Sequence, residues 1–357
     1  MVAEAMSDQL DAPGLDARLC AVAALREQEL RGERPPVVGP VLPSYDHIHT
    51  TASYGHVVPG VQSVSRMIWA AHEARARSVL MVEHESTAHF DEAVRALALV
   101  NSGEEKPIRL TLAVEFKAPI AINDAPSRDF AEKINHAWGQ NEAAWVVGVG
   151  ARPSPELDLL VAQFQQAKIE RAQGQIEKLN RHLQLDPPLA LASILTPEGN
   201  ITDRTVAVAV AARKWPEADP ATQRRHASAV RKLLDPGQPG HAPYPAGLPS
   251  FQDLTCQLLD LGMVPSFTSQ LRGQALDGVL PMLKAWGMRA LDVAGIEPAE
   301  PDAAQQIDQF IELAVRHDFL LFGGSDYRGT GTGWTTHQPW MDHPLIRATS
   351  EKMAHFA

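Results

Sequence analysis

Two histidines one residue apart, His47 and His49, stand in Tyr45-Asp46-His47-Ile48-His49-Thr50-Thr51, directly after a proline-ended stretch. In an extended strand, residues i and i+2 point the same way, so the pair would present two imidazoles to one point in space. That is the geometry of a metal ligand pair. A surface or packing role is the ordinary alternative in a chain with 14 histidines, so the residues at the other strand ends decide between them.

The surrounding pattern predicts elements that end in polar residues. Leu15 to Gly32 has the spacing of an amphipathic leading helix, and Pro35, Pro36, Pro40 and Pro43 make 33–43 a stiff linker. After the His-x-His strand, Val64 to Arg77 reads as helix. Ser78 to Val82 reads as a buried strand ending at Glu83-His84-Glu85, and Phe90 to Asn101 as a second helix. Arg109 to Val114 reads as a strand ending at Glu115. Alternating strands and helices with polar strand ends predict a parallel α/β sheet or barrel whose site lies at the carboxyl ends of its strands. Residues 120–250 are expected to be a mainly helical insertion over that rim, with helices at 152–184 and 205–212 and a proline-rich loop at 235–250. The alternation resumes at 251 and runs to a glycine-bracketed loop, Gly323-Gly324-Ser325-Asp326-Tyr327-Arg328-Gly329. The expected division is therefore a leading segment (1–43), a barrel (44–119 with 251–333), the insertion (120–250) and a tail (334–357). Trp334 and Trp340 in that tail are expected to anchor a loop.

Composition narrows the function. With 357 residues, 45% apolar and 21% charged, the chain is of globular type. Its 43 acids against 32 bases, net −11, argue against non-specific nucleic-acid binding. No apolar run approaches the ~18 residues of a membrane span, and the acidic start is unlike a signal peptide, so a cytoplasmic location is expected. Cys20 and Cys256 lie far apart in apolar-periodic stretches and are expected to be reduced packing residues. The oligomeric state is open.

In order, the strand-end residues are His47, His49, His84, Glu115 and Asp326. Here the chain resembles the polymerase-and-histidinol-phosphatase (PHP) family, metal-dependent phosphoesterases on a distorted TIM-like barrel of parallel strands. Asp46-His47-Ile48-His49-Thr50 followed by Ser53-Tyr54-Gly55 looks like the family's opening. Val82-Glu83-His84-Glu85-Ser86 is similar to its Thr-Asp-His-Asp-Thr, and Ala113 to Lys117 to its Gly-x-Glu-Ile-Ser. Gly323 to Gly329 resembles its final Gly-Gly-Ser-Asp-Phe-His-Gly. Thr202-Asp203-Arg204-Thr205-Val206-Ala207 looks like its Gly-Arg-Pro-His-Ile-Ala, and Val264 to Gln270 like the strand ending Ala-His-Pro. The likeness runs from about residue 44 to 333.

The resemblance implies a first metal held by His47, His49, Glu115 and Asp326, all present. A second would need histidines where Val206 and Ser269 stand. A third would need ligands where Tyr54, His84 and Arg328 stand, and only His84 is one. An arginine beside a cation is repulsive unless an anion lies between them, so Arg328 should exclude the third ion and hold substrate instead. The expectation is one divalent metal, and two imidazoles with two carboxylates suit Zn²⁺, Mn²⁺ or Fe²⁺. His84 or Glu83 would relay protons, although Glu83 could equally orient a ligand histidine and His84 could be a hydrogen-bonding rim residue. Arg328 and Arg204 would meet an anionic small-molecule substrate, with Tyr327 as packing or an oxyanion donor. His56, His136 and His241 are candidate replacement ligands. The implied function is a metal-dependent hydrolase acting on a phosphoester or on a carboxylate-bearing ester, amide or lactone. A mononuclear lyase and a catalytically silent PHP-like binding protein are the alternatives.

Overall fold

The computed structural model describes residues 7–34, 45–55, 57–138, 143–197, 199–268, 270–294, 296, 302–324 and 343–353. Residues 35–43 of the proline-rich linker, His56, Ser269, Asp326, Tyr327, Arg328, Trp334 and Trp340 therefore lie outside the described residues.

The chain opens with helix α1 (Leu15–Leu30) and strand β1 (Tyr45–Ile48), then α2 (Thr51–Tyr54), α3 (Val64–Glu73), β2 (Ser78–His84), α4 (His89–Val100) and β3 (Arg109–Pro119). Helix α5 (Ala125–Trp138) leads to β4 (Ala143–Val149), and α6 (Pro155–Leu183), α7 (Asp203–Lys214) and α8 (Pro220–Lys232) come next. The last part is α9 (Phe251–Asp260), β5 (Val264–Thr268), α10 (Gly273–Asp277), α11 (Leu280–Ala285), β6 (Ala290–Asp292), α12 (Ala303–Arg316), β7 (Leu320–Phe322) and α13 (Pro344–Met353).

The seven strands lie side by side in chain order and curve into a nearly closed, distorted TIM-like barrel ringed by helices. All neighbouring pairs are parallel except those of β4, which runs antiparallel to β3 and to β5. This strand falls inside 120–250, expected to be mainly helical. Its run Ala143-Ala144-Trp145-Val146-Val147-Gly148-Val149 belongs to the sheet, while the helices α6 to α8 come after it. Strand β3 also runs five residues past Val114 to Pro119, because its extension pairs with β4.

Alternation sorts the strand residues into two faces. Val79, Met81, Val114, Phe116, Val146, Leu291 and Leu321 join the main core beneath the helices. Leu80, Val82, Ala113, Val147, Val149, Ala290 and Phe322 fill the barrel interior. Ile48 packs outward with the first set, so His47 and His49 face inward. By the same count His84, Glu115, Lys117, Trp145 and Asp292 continue the inward face at the strand ends. The insertion has its own apolar core, in which Ile176, Leu179, Val206, Val210 and Val230 are buried.

The two cysteines are free, as expected, but both are exposed rather than packed. Their apolar neighbours turn inward, and the thiols sit on the other side of α1 and α9.

Candidate metal centre

The histidine pair owes its aim to an irregularity. Register between β1 and β2 slips between Asp46 and Ile48, and His47 between them has φ 55°. A bulge of this kind redirects a side chain. His47 Nδ1 lies 2.7 Å from Asp292 Oδ2, and both groups are buried. A carboxylate oxygen can only accept, so Nδ1 carries the proton and Nε2 keeps its lone pair for a metal. Asp292 is fixed in turn by the amides of Ala294 (2.8 Å) and Gly324 (3.2 Å).

His47, His49 and Glu115 are all buried, and each offers a ligand atom within 4.8 Å of the others. Glu115 Oε2 is 3.7 Å from His49 Nε2 and 3.0 Å from His84 Nδ1. The His49 and His84 rings stack at 4.3 Å, and His84 Nε2 shares a 2.8 Å hydrogen bond with the Tyr54 hydroxyl. Two imidazoles and one carboxylate converging in a buried pocket are a donor set for a borderline divalent cation. The residues present therefore fit the metal that the sequence led us to expect.

The remaining sequence candidates separate. Among the described residues, Glu83 bonds Thr50 and Ser53 rather than an imidazole. It accepts from the Thr50 amide (3.1 Å) and from the hydroxyls of Thr50 and Ser53, pinning the turn after His49. Burial pushes its carboxyl up to about 7, and the Ser53 and Thr50 hydrogen bonds only partly oppose this. Val206 is wholly buried in the insertion core and offers no donor. Arg204 is half-buried in the first turn of α7. His136 is exposed near the end of α5, and His241 donates from Nδ1 to the Leu234 carbonyl at 3.2 Å. Neither belongs to the described ligand trio.

Asp292 and Asn200 escaped the sequence reading. Asp292 ends a three-residue strand in Ala290-Leu291-Asp292, and its position at a strand end was the available signal. Asn200 Nδ2 donates to the His84 carbonyl at 2.6 Å and so ties the insertion to the end of β2. Glu85 is a second tie, because it accepts from Lys168 Nζ of α6 at 2.5 Å and from the Lys117 amide at 2.9 Å.

Two substitutions test this support. Asp292→Ala should weaken metal binding by roughly 10- to 100-fold, as loss of an imidazole-orienting carboxylate generally does. Competition titration against a chromophoric chelator measures it, and unchanged affinity would separate Asp292 from the site. Gly324→Ala should also lower metal affinity, because a Cβ there would collide with His47 Cβ and lie 2.7 Å from Ala294 Cβ and Asp292 Oδ1. That glycine lets the strand-end loop pass behind the histidine. A Gly324→Ala protein with wild-type affinity would mean that the loop yields without moving His47.

No protein-family model and no curated protein matches the sequence. Among solved structures, the chain is similar to one from Bifidobacterium adolescentis whose assignment as a metal-dependent phosphoesterase is provisional. The identity is 19%, 90% of this chain and 98% of the other are covered, and the TM-score is 0.63. It is similar as well to an amidohydrolase from Chromobacterium violaceum, solved with bound sulfate and without metal. Here the identity is 19%, 88% of this chain and 96% of that one are covered, and the TM-score is 0.62. At this identity the likeness establishes the barrel fold.

Proposed function

We propose that this protein is a metal-dependent hydrolase of the PHP type, using one divalent cation, Zn²⁺, Mn²⁺ or Fe²⁺, against an anionic small-molecule substrate. The observation that carries the reading is the buried convergence of His47, His49 and Glu115 at the strand ends. Both structural neighbours are described as metal-dependent phosphoesterase or amidohydrolase, which supports hydrolysis as the reaction class. In this reading Asp326 is the fourth ligand.

His47, His49 and Glu115 would hold the cation, which when bound would supply Lewis-acid polarisation and a water whose pKa is lowered toward ~7. The chain's own groups do the rest. Asp292 keeps the His47 proton on Nδ1, and Glu115 spans His49 and His84. His84, steadied by Tyr54 and lying against Glu115, is the side chain placed to move a proton. Arg328 and Arg204 neutralise the substrate's phosphate or carboxylate.

Two features support a single ion. Val206, which the resemblance aligns with a second-ion histidine, is apolar and buried in the insertion core, and the Tyr54 phenol hydrogen-bonds His84, the one ligand type left of the third-ion set. Elemental analysis of protein purified without chelator tests this. About one equivalent is expected, and about three would restore a trinuclear phosphoesterase. Turnover of an aryl phosphate compared with aryl esters and lactones then chooses the substrate class. A loaded protein inert toward all of them would remove the hydrolase reading.

A further inference from the structure

A second concentration of charge lies beside the metal centre, where the insertion meets β3. Asp203, opening α7, sits 3.1 Å from Arg171 Nη1 of α6 and accepts from Gln175 Nε2 at 3.1 Å. Lys117 Nζ approaches the same carboxylate at 3.5 Å. Tyr244 stacks against the Arg171 guanidinium, 4.4 Å from its ring. Lys117, Arg171, Asp203 and Tyr244, together with Arg231 and Asp235, line a cleft of about 350 Å³ with its mouth included. Its inner cavity is about 20 Å³, room for one or two water-sized groups.

Among its described lining residues, the cleft has one positive charge more than negative. Lys117, Arg171 and Arg231 face two carboxylates, Asp203 and Asp235, and the burial-raised Tyr244 phenol stays neutral. Burial works against the Asp203 charge, but Arg171 and Lys117 more than offset it and hold its carboxyl well below the usual range. That leaves Arg231, exposed at the end of α8 and in no direct ion pair with a described residue. Among the described residues, the Trp145 ring bridges the cleft and the metal centre. The Trp145 ring lies 5.0 Å from the His84 ring and 5.5 Å from Lys117 Nζ.

We propose that this cleft is a carboxylate subsite, holding the non-reacting carboxylate of a small substrate whose reacting group lies at His47, His49 and Glu115, with Arg231 as the recognising cation. The inference rests on the hydrolase reading for where the chemistry occurs. A monoanion matches the single surplus charge, whereas a phosphate dianion would leave net negative charge in a confined space. A planar carboxylate also suits the guanidinium fork and the small inner volume.

Calorimetric titration of the full chain, stripped of metal, with propionate and separately with inorganic phosphate tests the subsite without turnover. Saturable propionate binding is expected, stronger than that of phosphate. It should weaken roughly tenfold or more in Arg231→Gln, the scale of a lost charge-assisted hydrogen bond, and by less in Arg231→Lys, which keeps the charge without the fork. Arg225→Gln, at an exposed arginine of the same helix, should leave it unchanged, with thermal melts confirming that each variant folds. No saturable propionate heat, a preference for phosphate, or full affinity in Arg231→Gln would each overturn the subsite. Propionate binding that depends on Arg231, found with a metal-loaded enzyme inert toward aryl phosphates, esters and lactones alike, would keep the subsite and remove the hydrolase reading instead.

Discussion

His49→Ala is expected to lose its metal and to lower turnover by roughly 10³-fold or more, since Lewis-acid activation contributes several kcal/mol and each 1.36 kcal/mol is tenfold in rate. His49 is buried on the inward face, its Nε2 is 3.7 Å from Glu115, and its ring stacks on His84. No other described residue of the trio can replace it, because His47 is already committed to its own position by Asp292. The fold should persist, because removing one ring near the rim leaves the apolar barrel interior intact. Elemental analysis and kcat on the best substrate, with His136→Ala as the exposed control, measure both effects. A His49→Ala protein with full turnover would sink the metal centre as drawn.

The second large effect is on stability against pH, in metal-free protein. Burial raises Glu83 from an ordinary value of 4.5 to about 7. Between those values the folded state holds a proton that the unfolded state releases. The contribution of Glu83 is therefore complete below pH 4.5 and is lost as pH rises through about 7, a total of roughly 3 kcal/mol at 1.36 kcal/mol per unit. His89 does the opposite. It is wholly buried, and burial, then the neighbouring His49, lower it from 6.5 to about 3. Its contribution is present above pH 6.5 and is lost as pH falls toward 3.

The two slopes oppose each other between about pH 4.5 and 6.5, so the wild-type profile conceals both. Glu83→Gln keeps the hydrogen-bonding shape of the side chain and removes the titration. Relative to wild type it should gain stability as pH rises from 4.5 to 7. His89→Phe should lose relative stability over 3 to 6.5. Urea midpoints at closely spaced pH values in the presence of chelator measure each difference. Parallel wild-type and Glu83→Gln profiles would show that the carboxyl titrates at its ordinary pKa despite its burial.

Much of the centre was legible because it depends on local geometry. Spacing of two marked His47 and His49 as a pair, although a bulge at His47 completes their convergence, and apolar runs ending at His84 and Glu115 put those residues at strand ends, where the barrel gathers them. The same local logic failed at β4. Its apolar run gave no sign of direction, and its antiparallel pairing is decided by β3 and β5, which are distant in the chain. Cys20 and Cys256 misled for a related reason, because helical periodicity marks an apolar stripe but does not say which borderline residue falls just outside it.

By itself, then, the sequence determined the strand-and-helix alternation, the pairing of the two histidines and the lack of a histidine at position 206. All of these come from residue type and a period of two or 3.6. Only the tertiary structure decided that Asp292, 245 residues away, orients His47. It also decided that Gly324 passes behind that ring, that Glu83 pins the turn after His49, and that Lys117, Arg171, Asp203 and Arg231 line one cleft. Those contacts join segments with no shared periodicity. They arise when the barrel closes and the insertion settles on its rim, and nothing within a single segment encodes them.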